Sequence, residues 1–220
     1  MTTRSFKFAP DEFYHVYNRG VDKRNIFNSH KDQILFLERM YLANGSESID
    51  IRDIKKHSKS VFDWDRGEQQ VAIGAFCLMP NHFHILLKPL QENGVSTFMS
   101  KLSTSYTMYF NKNNERTGAL FQGAFKAEYV ESDRYLKYLY SYIHLNPIKL
   151  LQSDWKEKGI QNPETAYEYA ASYQYSSLPA YIGTKHISHT IISPEHFPDY
   201  FQTSAGHQKE LMEWLTFNQT

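Results

Sequence analysis

The chain has 220 residues, balances 24 Lys+Arg against 24 Asp+Glu, and is 41% hydrophobic and 15% aromatic. That is long enough for one substantial core and too apolar to stay disordered. A single thiol, Cys77, excludes an internal disulfide; with no apolar leader and no run of roughly 18 apolar residues, a soluble, cytoplasmic protein is expected.

Residues 12–18, EFYHVYN, read as a first strand, rich in aromatic and branched side chains and closed by the turn-prone Arg19-Gly20. Ser29 to Leu42 places Ile34, Leu35, Leu37 and Leu42 among charges at helical spacing, with Ser29 as cap. Residues 43–70 are polar and rich in Gly and Ser, and predict a loop or irregular insertion. VAIGAFCLM (71–79) is a strand covered on both faces, and Pro80-Asn81 turns the chain into HFHILLK (82–88), completing a hairpin. Residues 96–112 predict a helix with Phe98, Met99, Leu102, Tyr106 and Tyr109 or Phe110 as its apolar stripe. ALFQGAFKAEYV (119–130) alternates as a strand, with Phe121, Phe125 and Tyr129 opposite Gln122, Lys126 and Glu128. A helix from Asp133 to Leu145 follows, capped by Ser132 and stopped by Pro147.

The order β-α-β-β-α-β followed by a helix predicts an α+β fold, the ferredoxin-like split βαβ arrangement. Its antiparallel sheet would carry helices on one face and leave the other free for a ligand. Residues 1–150 form this domain. Residues 151–220 are a mostly helical or irregular C-terminal extension, ending in a helix near Gly206–Phe217 and read as an accessory tail.

The zero net charge is an average. Residues 1–150 hold 20 basic and 16 acidic side chains, and residues 151–220 hold 4 and 8. A slightly basic region offset by an acidic tail does not exclude a nucleic-acid partner. It implies binding through shape, stacking and specific contacts more than bulk charge.

The sharpest local feature is His82-Phe83-His84. On a strand the two imidazoles face the same way, with α-carbons about 7 Å apart, while Phe83 points into the core. Such a pair can converge on one divalent ion, although a bare H-x-H is more often two half-exposed hairpin histidines. The helix DRYLKYLYSYIH adds Tyr135, Tyr138, Tyr140 and Tyr142, with Asn146 just beyond. Tyr142 and Asn146 are four residues apart, hence on one helical face, and an amide oxygen could complete an open site suited to Mg²⁺ or Mn²⁺. Tyr140 and His144 are also four apart, on the opposite face. Helical spacing does not choose between the pairs, and most tyrosines at such spacing simply pack.

HVYNRG in the first strand, CLMPNHFHILLKP across the hairpin and YSYIHLNPIK at the helix end resemble the HUH-type single-tyrosine transposases. Within the IS200-like superfamily the resemblance is closest to the REP-associated branch, and it spans about residues 11–150. It implies cleavage and rejoining of single-stranded, hairpin-containing DNA through a 5′-phosphotyrosine. It makes Tyr142 the nucleophile, His82, His84 and Asn146 the ligands of Mg²⁺ or Mn²⁺, and so favours Tyr142–Asn146 over Tyr140–His144. Near GAFKA, similar proteins carry an arginine where this chain has Ala124, which removes one phosphate contact.

Cations for the phosphates are Arg19, Lys23, Arg24, Lys112, Arg116 and Lys126; Tyr14, Tyr17, Phe121 and Tyr129 offer rings for base stacking. His15 can face the site from the first strand, but reads more simply as structural, and Cys77 as a small core residue. The competing function is a non-catalytic single-strand-binding module that uses the same sheet; a small metal-dependent hydrolase would use the histidines without the tyrosine. Both a monomer and a homodimer are compatible with the sequence.

Overall fold

A computed structural model describes residues 6–47, 54 and 60–217. Strands β1 (Tyr14–Arg19), β2 (Val71–Met79), β3 (His82–Pro89) and β4 (Lys126–Tyr129) form one antiparallel sheet in the order β2-β3-β1-β4. Helices α1 (His30–Ala43) and α2 (Gly94–Asn113) are the two crossovers. This is the split βαβ arrangement expected from the sequence. Within the polar 43–70 segment, residues 48–53 and 55–59 lie outside the described residues; Gly45 bridges to Gln69 near its ends.

Alternation decides what each strand faces. Tyr14 and Val16, Ile73, Phe76 and Leu78, and Phe83, Ile85 and Leu87 point into a core shared with Phe36, Leu37 and Met40 of α1 and Phe98, Leu102 and Tyr106 of α2. Phe110 completes the α2 stripe, whereas Tyr109 lies at its margin and donates to Asp32 Oδ1 at 2.8 Å. That bond ties α2 to the first turn of α1, where the cap Ser29 accepts from the Asp32 amide.

The second sheet face is only partly free. Ala72, Ala75 and Cys77 of β2 are small, and α3 (Asp133–His144) settles on them with Leu136, Leu139, Tyr140 and Ile143. At Gly74 a Cβ would come within 2.8 Å of the Phe197 ring and the Tyr140 hydroxyl, so a side chain there would push that layer off the sheet. The expectation of helices on one face therefore holds for the two crossovers, while α3 covers the β2–β3 half of the other. The uncovered half carries His15, Tyr17 and Glu128.

Two boundaries move for local reasons. The 119–130 stretch forms a strand only over Lys126–Tyr129, because Gly123 takes φ +95° and bends the chain. Phe121 stays buried at an isolated bridge to Gly20, while Tyr129 is exposed and donates to Glu12. Pro147 does not stop helical geometry at Asn146. The α-helix ends at His144 and a 3₁₀ turn runs from Asn146 to Leu150, with Pro147 in the first turn where a missing N–H costs little.

The C-terminal residues 151–217 carry α4 (Trp155–Lys158), α5 (Pro163–Ser172), α6 (Leu178–Tyr181) and α7 (Ser204–Thr216). Their own cluster includes Trp155, Ala170, Leu178, Leu211 and Leu215, and it also buries Leu145 and Ile148. The amides of Ser177 and Ser193 donate to Phe76 and Ile73 carbonyls, and Leu78 donates to Tyr175, which closes the β2 edge. No helix among the described residues is long and apolar enough to cross a membrane.

His144 and His207 meet inside this layer, Nδ1 to Nε2 at 3.1 Å, and His144 Nε2 lies 2.8 Å from the Ser177 hydroxyl. Tyr181 and Phe201 rings enclose them. Burial holds His207 down to about 4 and His144 well below its usual value. An unfolded histidine titrates near about 6.5. Below that pH the unfolded chain binds the extra protons, so stability is complete above it and falls as pH drops towards 4. The expected loss between pH 7 and 5 is about 2 kcal/mol per buried imidazole. Urea midpoints at the two pH values check this, and His207→Asn should show the shallower pH dependence.

Candidate active site

The hairpin places His82 and His84 on the second sheet face, beside the edge of α3. Their rings are 5.0 Å apart and perpendicular. Register sets His84 between Cys77 of β2 and Tyr17 of β1, and His82 between Met79 and Arg19. Each histidine spends its Nδ1 within the protein. His82 Nδ1 lies 2.6 Å from Asn81 Oδ1, and the Asn81 amide nitrogen donates to the Lys23 carbonyl, which leaves Oδ1 as the acceptor. His84 Nδ1 lies 2.8 Å from His15 Nε2.

With Nδ1–H of His84 donated to His15 Nε2, the His15 proton sits on Nδ1, which is buried, lacks a hydrogen bond and faces Glu128 Oε2 at 3.7 Å. Both hairpin histidines then keep an Nε2 lone pair. Their charge state fits the same picture: burial, together with the Arg19 and Lys149 charges, brings His82 down to about 4, and burial holds His84 well below its usual value. Neutral imidazole is the ligand form.

Tyr142 enters from α3. Its ring stands edge-on to His84 at 5.4 Å and to His15 at 5.9 Å. Burial raises its phenol from the usual value, partly offset by the Asn146 side chain. One turn on, Asn146 donates its amide nitrogen to the Tyr142 carbonyl at 3.0 Å, while its Oδ1 is buried with no hydrogen-bond partner among the described residues. Lys156 places its ammonium 4.2 Å from the centre of the Tyr142 ring, and burial lowers it to about 8. A cavity of about 320 Å³ opens between His15, Tyr17, His84, Glu128, Tyr135 and Tyr142. Tyr17 donates to Glu128 at 2.7 Å and is pushed up to about 12 by burial and that carboxylate.

Tyr140 and His144, the competing pair, lie elsewhere. Tyr140 is 2% exposed against Phe197, Tyr181 and Phe201, and His144 is wholly buried on His207. Neither opens to the histidine cavity.

The six cations do not form one surface. Lys126 pairs across from Tyr17, shares its face with Glu128 and is exposed, so it flanks the cavity. Arg19 is exposed opposite His82. Lys23 and Arg24 sit on the turn after β1, where Arg24 pairs with Asp22 at 3.3 Å. Arg116 holds its own loop through Asn111 and Ala119. Lys112 is at the exposed end of α2, in the layer across the sheet. Of the proposed stacking rings, Tyr17 lines the cavity, whereas Tyr14 and Phe121 belong to the opposite core.

Several participants carry little sequence signal. His15, which the first strand can turn towards the site, does so: it is buried, bonds His84 and lines the cavity. Glu128 was counted only as part of a polar strand face. Lys149 and Lys156 lie beyond the helix in segments without periodicity. The alternation of β1 and β4 could have found His15 and Glu128; nothing in the pattern marks the two lysines.

Among the described residues no group of three or more His, Cys, Asp or Glu side chains is arranged to hold a metal. A divalent ion would rest on the two Nε2 atoms and the orphaned Asn146 Oδ1, a donor set that suits an open site.

Residues 40–146 match the family model described as "Transposase IS200 like". The match takes in His82, His84, Tyr142 and Asn146 and leaves out β1, Lys149 and Lys156. No curated protein matches the sequence. A solved structure of a REP-associated tyrosine transposase bound to a REP hairpin is 12% identical, with a TM-score of 0.47, and the alignment covers 86% of this chain and 90% of that one.

Proposed function

From the match of residues 40–146 to the IS200-like transposase family model and the geometry of the site, we propose that the chain cuts and rejoins single-stranded, hairpin-containing DNA through Tyr142. The observation that carries this reading is the edge-on meeting of the half-buried Tyr142 with His84, one of the two hairpin histidines, at a cavity open to solvent. A module that only binds would not need its tyrosine there.

In the proposed step Tyr142 Oη attacks the scissile phosphorus, the bond from phosphorus to the 3′-oxygen breaks, and a 5′-phosphotyrosine forms. The proton lost by the phenol balances the one gained by the departing 3′-oxygen. A phenolate leaves more readily than an alkoxide, so an incoming 3′-hydroxyl can reverse the step without a nucleotide cofactor. Burial opposes ionisation of Tyr142. The Lys156 ammonium over its ring and the Asn146 side chain beside it favour the phenolate. His82, His84 and Asn146 would hold Mg²⁺ or Mn²⁺, which when bound polarises the phosphate. Arg19 and Lys126 flank the site for the backbone, and Tyr17 offers a stacking face.

Incubation with 3′-labelled single-stranded hairpins from the DNA flanking the gene tests the reading. With Mn²⁺ present, label should migrate with the protein in SDS. Strands that are bound but never transferred to the protein would favour the binding module; cut strands without transfer would favour a hydrolase.

A further inference from the structure

Beside the histidine cavity lies a second one of about 220 Å³, and Tyr138 and Tyr142 line both. Its remaining walls come from α3, α4 and α7, with Ser141, Trp155, Lys156 and Trp214 the side chains that matter. Trp214 meets the Tyr138 ring at 5.1 Å, and its indole N–H donates to Glu210, which fixes the ring plane. It remains 37% exposed, so the aromatic wall is reachable from solvent.

Two polar atoms here are anomalous. Ser141 Oγ and Trp155 Nε1 are buried and find no hydrogen-bond partner among the described residues. The side chains are 1% and 6% exposed. Buried polar groups are rarely left unmatched, and both of these belong to residues that line the one cavity.

We propose that this cavity receives one unpaired nucleobase of the bound DNA strand, adjacent to the phosphate at Tyr142. The inference rests on the strand-cleaving reading above and adds a specificity-determining subsite to it. Flat aromatic walls suit a stacked heterocycle, which every base offers. The Trp155 indole N–H and the Ser141 hydroxyl, neither engaged within the described residues, are donors for acceptor atoms on a base edge. Tyr138 and Tyr142 are walls of both cavities, so one nucleotide can place its phosphate on the histidine side of these rings and its base on the other, where Lys156 also lines the cavity.

Single abasic substitutions walked along a bound strand, measured by equilibrium binding, test the subsite. Trp214→Ala should weaken binding of the intact strand roughly tenfold. At one position an abasic site should weaken the wild type by a similar factor yet cost the variant almost nothing more, and Trp214→Phe should restore the wild-type pattern. Unchanged affinity in Trp214→Ala, or additive losses at every position, would overturn the proposal. The scan reads binding alone, so failure to form a tyrosine adduct would count against the catalytic reading without deciding this one.

Discussion

Tyr142→Phe is expected to abolish covalent protein–DNA adducts and slow strand cleavage at least about 10³-fold, as removal of a nucleophile does, while DNA binding stays within about twofold. The variant keeps what holds the ring in place. The edge contacts to His84 and His15, the neighbouring Tyr138 ring and the Lys156 ammonium above its face all involve the ring and not the hydroxyl. Asn146 also keeps its bond to the residue 142 carbonyl, which the substitution leaves untouched. The stability change should therefore be no more than about 1 kcal/mol, the net worth of one hydrogen bond. Denaturant midpoints separate that from a folding defect, and SDS gels with 3′-labelled DNA read the adduct. An adduct of undiminished yield would move the nucleophile to another phenol of the cavity, Tyr17, Tyr135 or Tyr138. Of these, Tyr17 is the least suited, since Glu128 accepts its proton in a hydrogen bond and holds its ionisation high.

The fold was legible where one physical period governed a segment. VAIGAFCLM is apolar at every position, so it had to be covered on both faces, and β2 matches it to the residue. Ser29 and Ser132 announced their helices because an N-cap hydroxyl answers a need that exists only at a helix start. Legibility failed where two influences competed. Alternation from 119 to 130 was real, but Gly123 let the chain bend and only four residues pair. The covering of the second sheet face was invisible for another reason. It depends on three small residues of β2 accepting a distant helix, a contact with no local signature.

The site divides along the same line. The parity of His82 and His84 follows from strand geometry, and the structure places both on the face that Tyr142 reaches. Helical spacing alone could not separate Tyr142 from Tyr140; burial does, because Tyr140 faces Phe197 while Tyr142 faces the cavity. His15 shows the limit of weighing residues singly. A lone strand histidine is usually structural, and His15 is indeed buried, yet its Nε2 lies 2.8 Å from Nδ1 of His84 and so bears on the orientation of that ring. The cation count misled in the opposite direction. Six side chains were grouped by charge, but Arg116 is engaged in its own loop and Lys112 is across the sheet, whereas Lys149 and Lys156 stand close enough to depress His84.

His82→Ala should eliminate cleavage that depends on Mg²⁺ or Mn²⁺, and Asn81→Ala should weaken it in a recognisably different way. Asn81 Oδ1 accepts the Nδ1 proton of His82 and so presents the Nε2 lone pair to the site. Loss of such an orienting partner typically costs 10- to 100-fold in metal affinity. Asn81→Ala should therefore cut at the wild-type rate once Mn²⁺ is raised by about that factor, whereas His82→Ala should not recover at any concentration. Asn146→Ala falls between the two, because it removes an oxygen donor that has no other partner and also a side chain that steadies Tyr142. Mn²⁺ binding followed by electron paramagnetic resonance, without DNA, reads the metal separately from the chemistry. The bound signal should weaken in all three variants while Tyr142→Phe binds as the wild type. Cleavage that persists in EDTA, or Mn²⁺ binding unaffected by His82→Ala, would remove the metal from the mechanism and leave Lys149 and Lys156 to stabilise the phosphate charge.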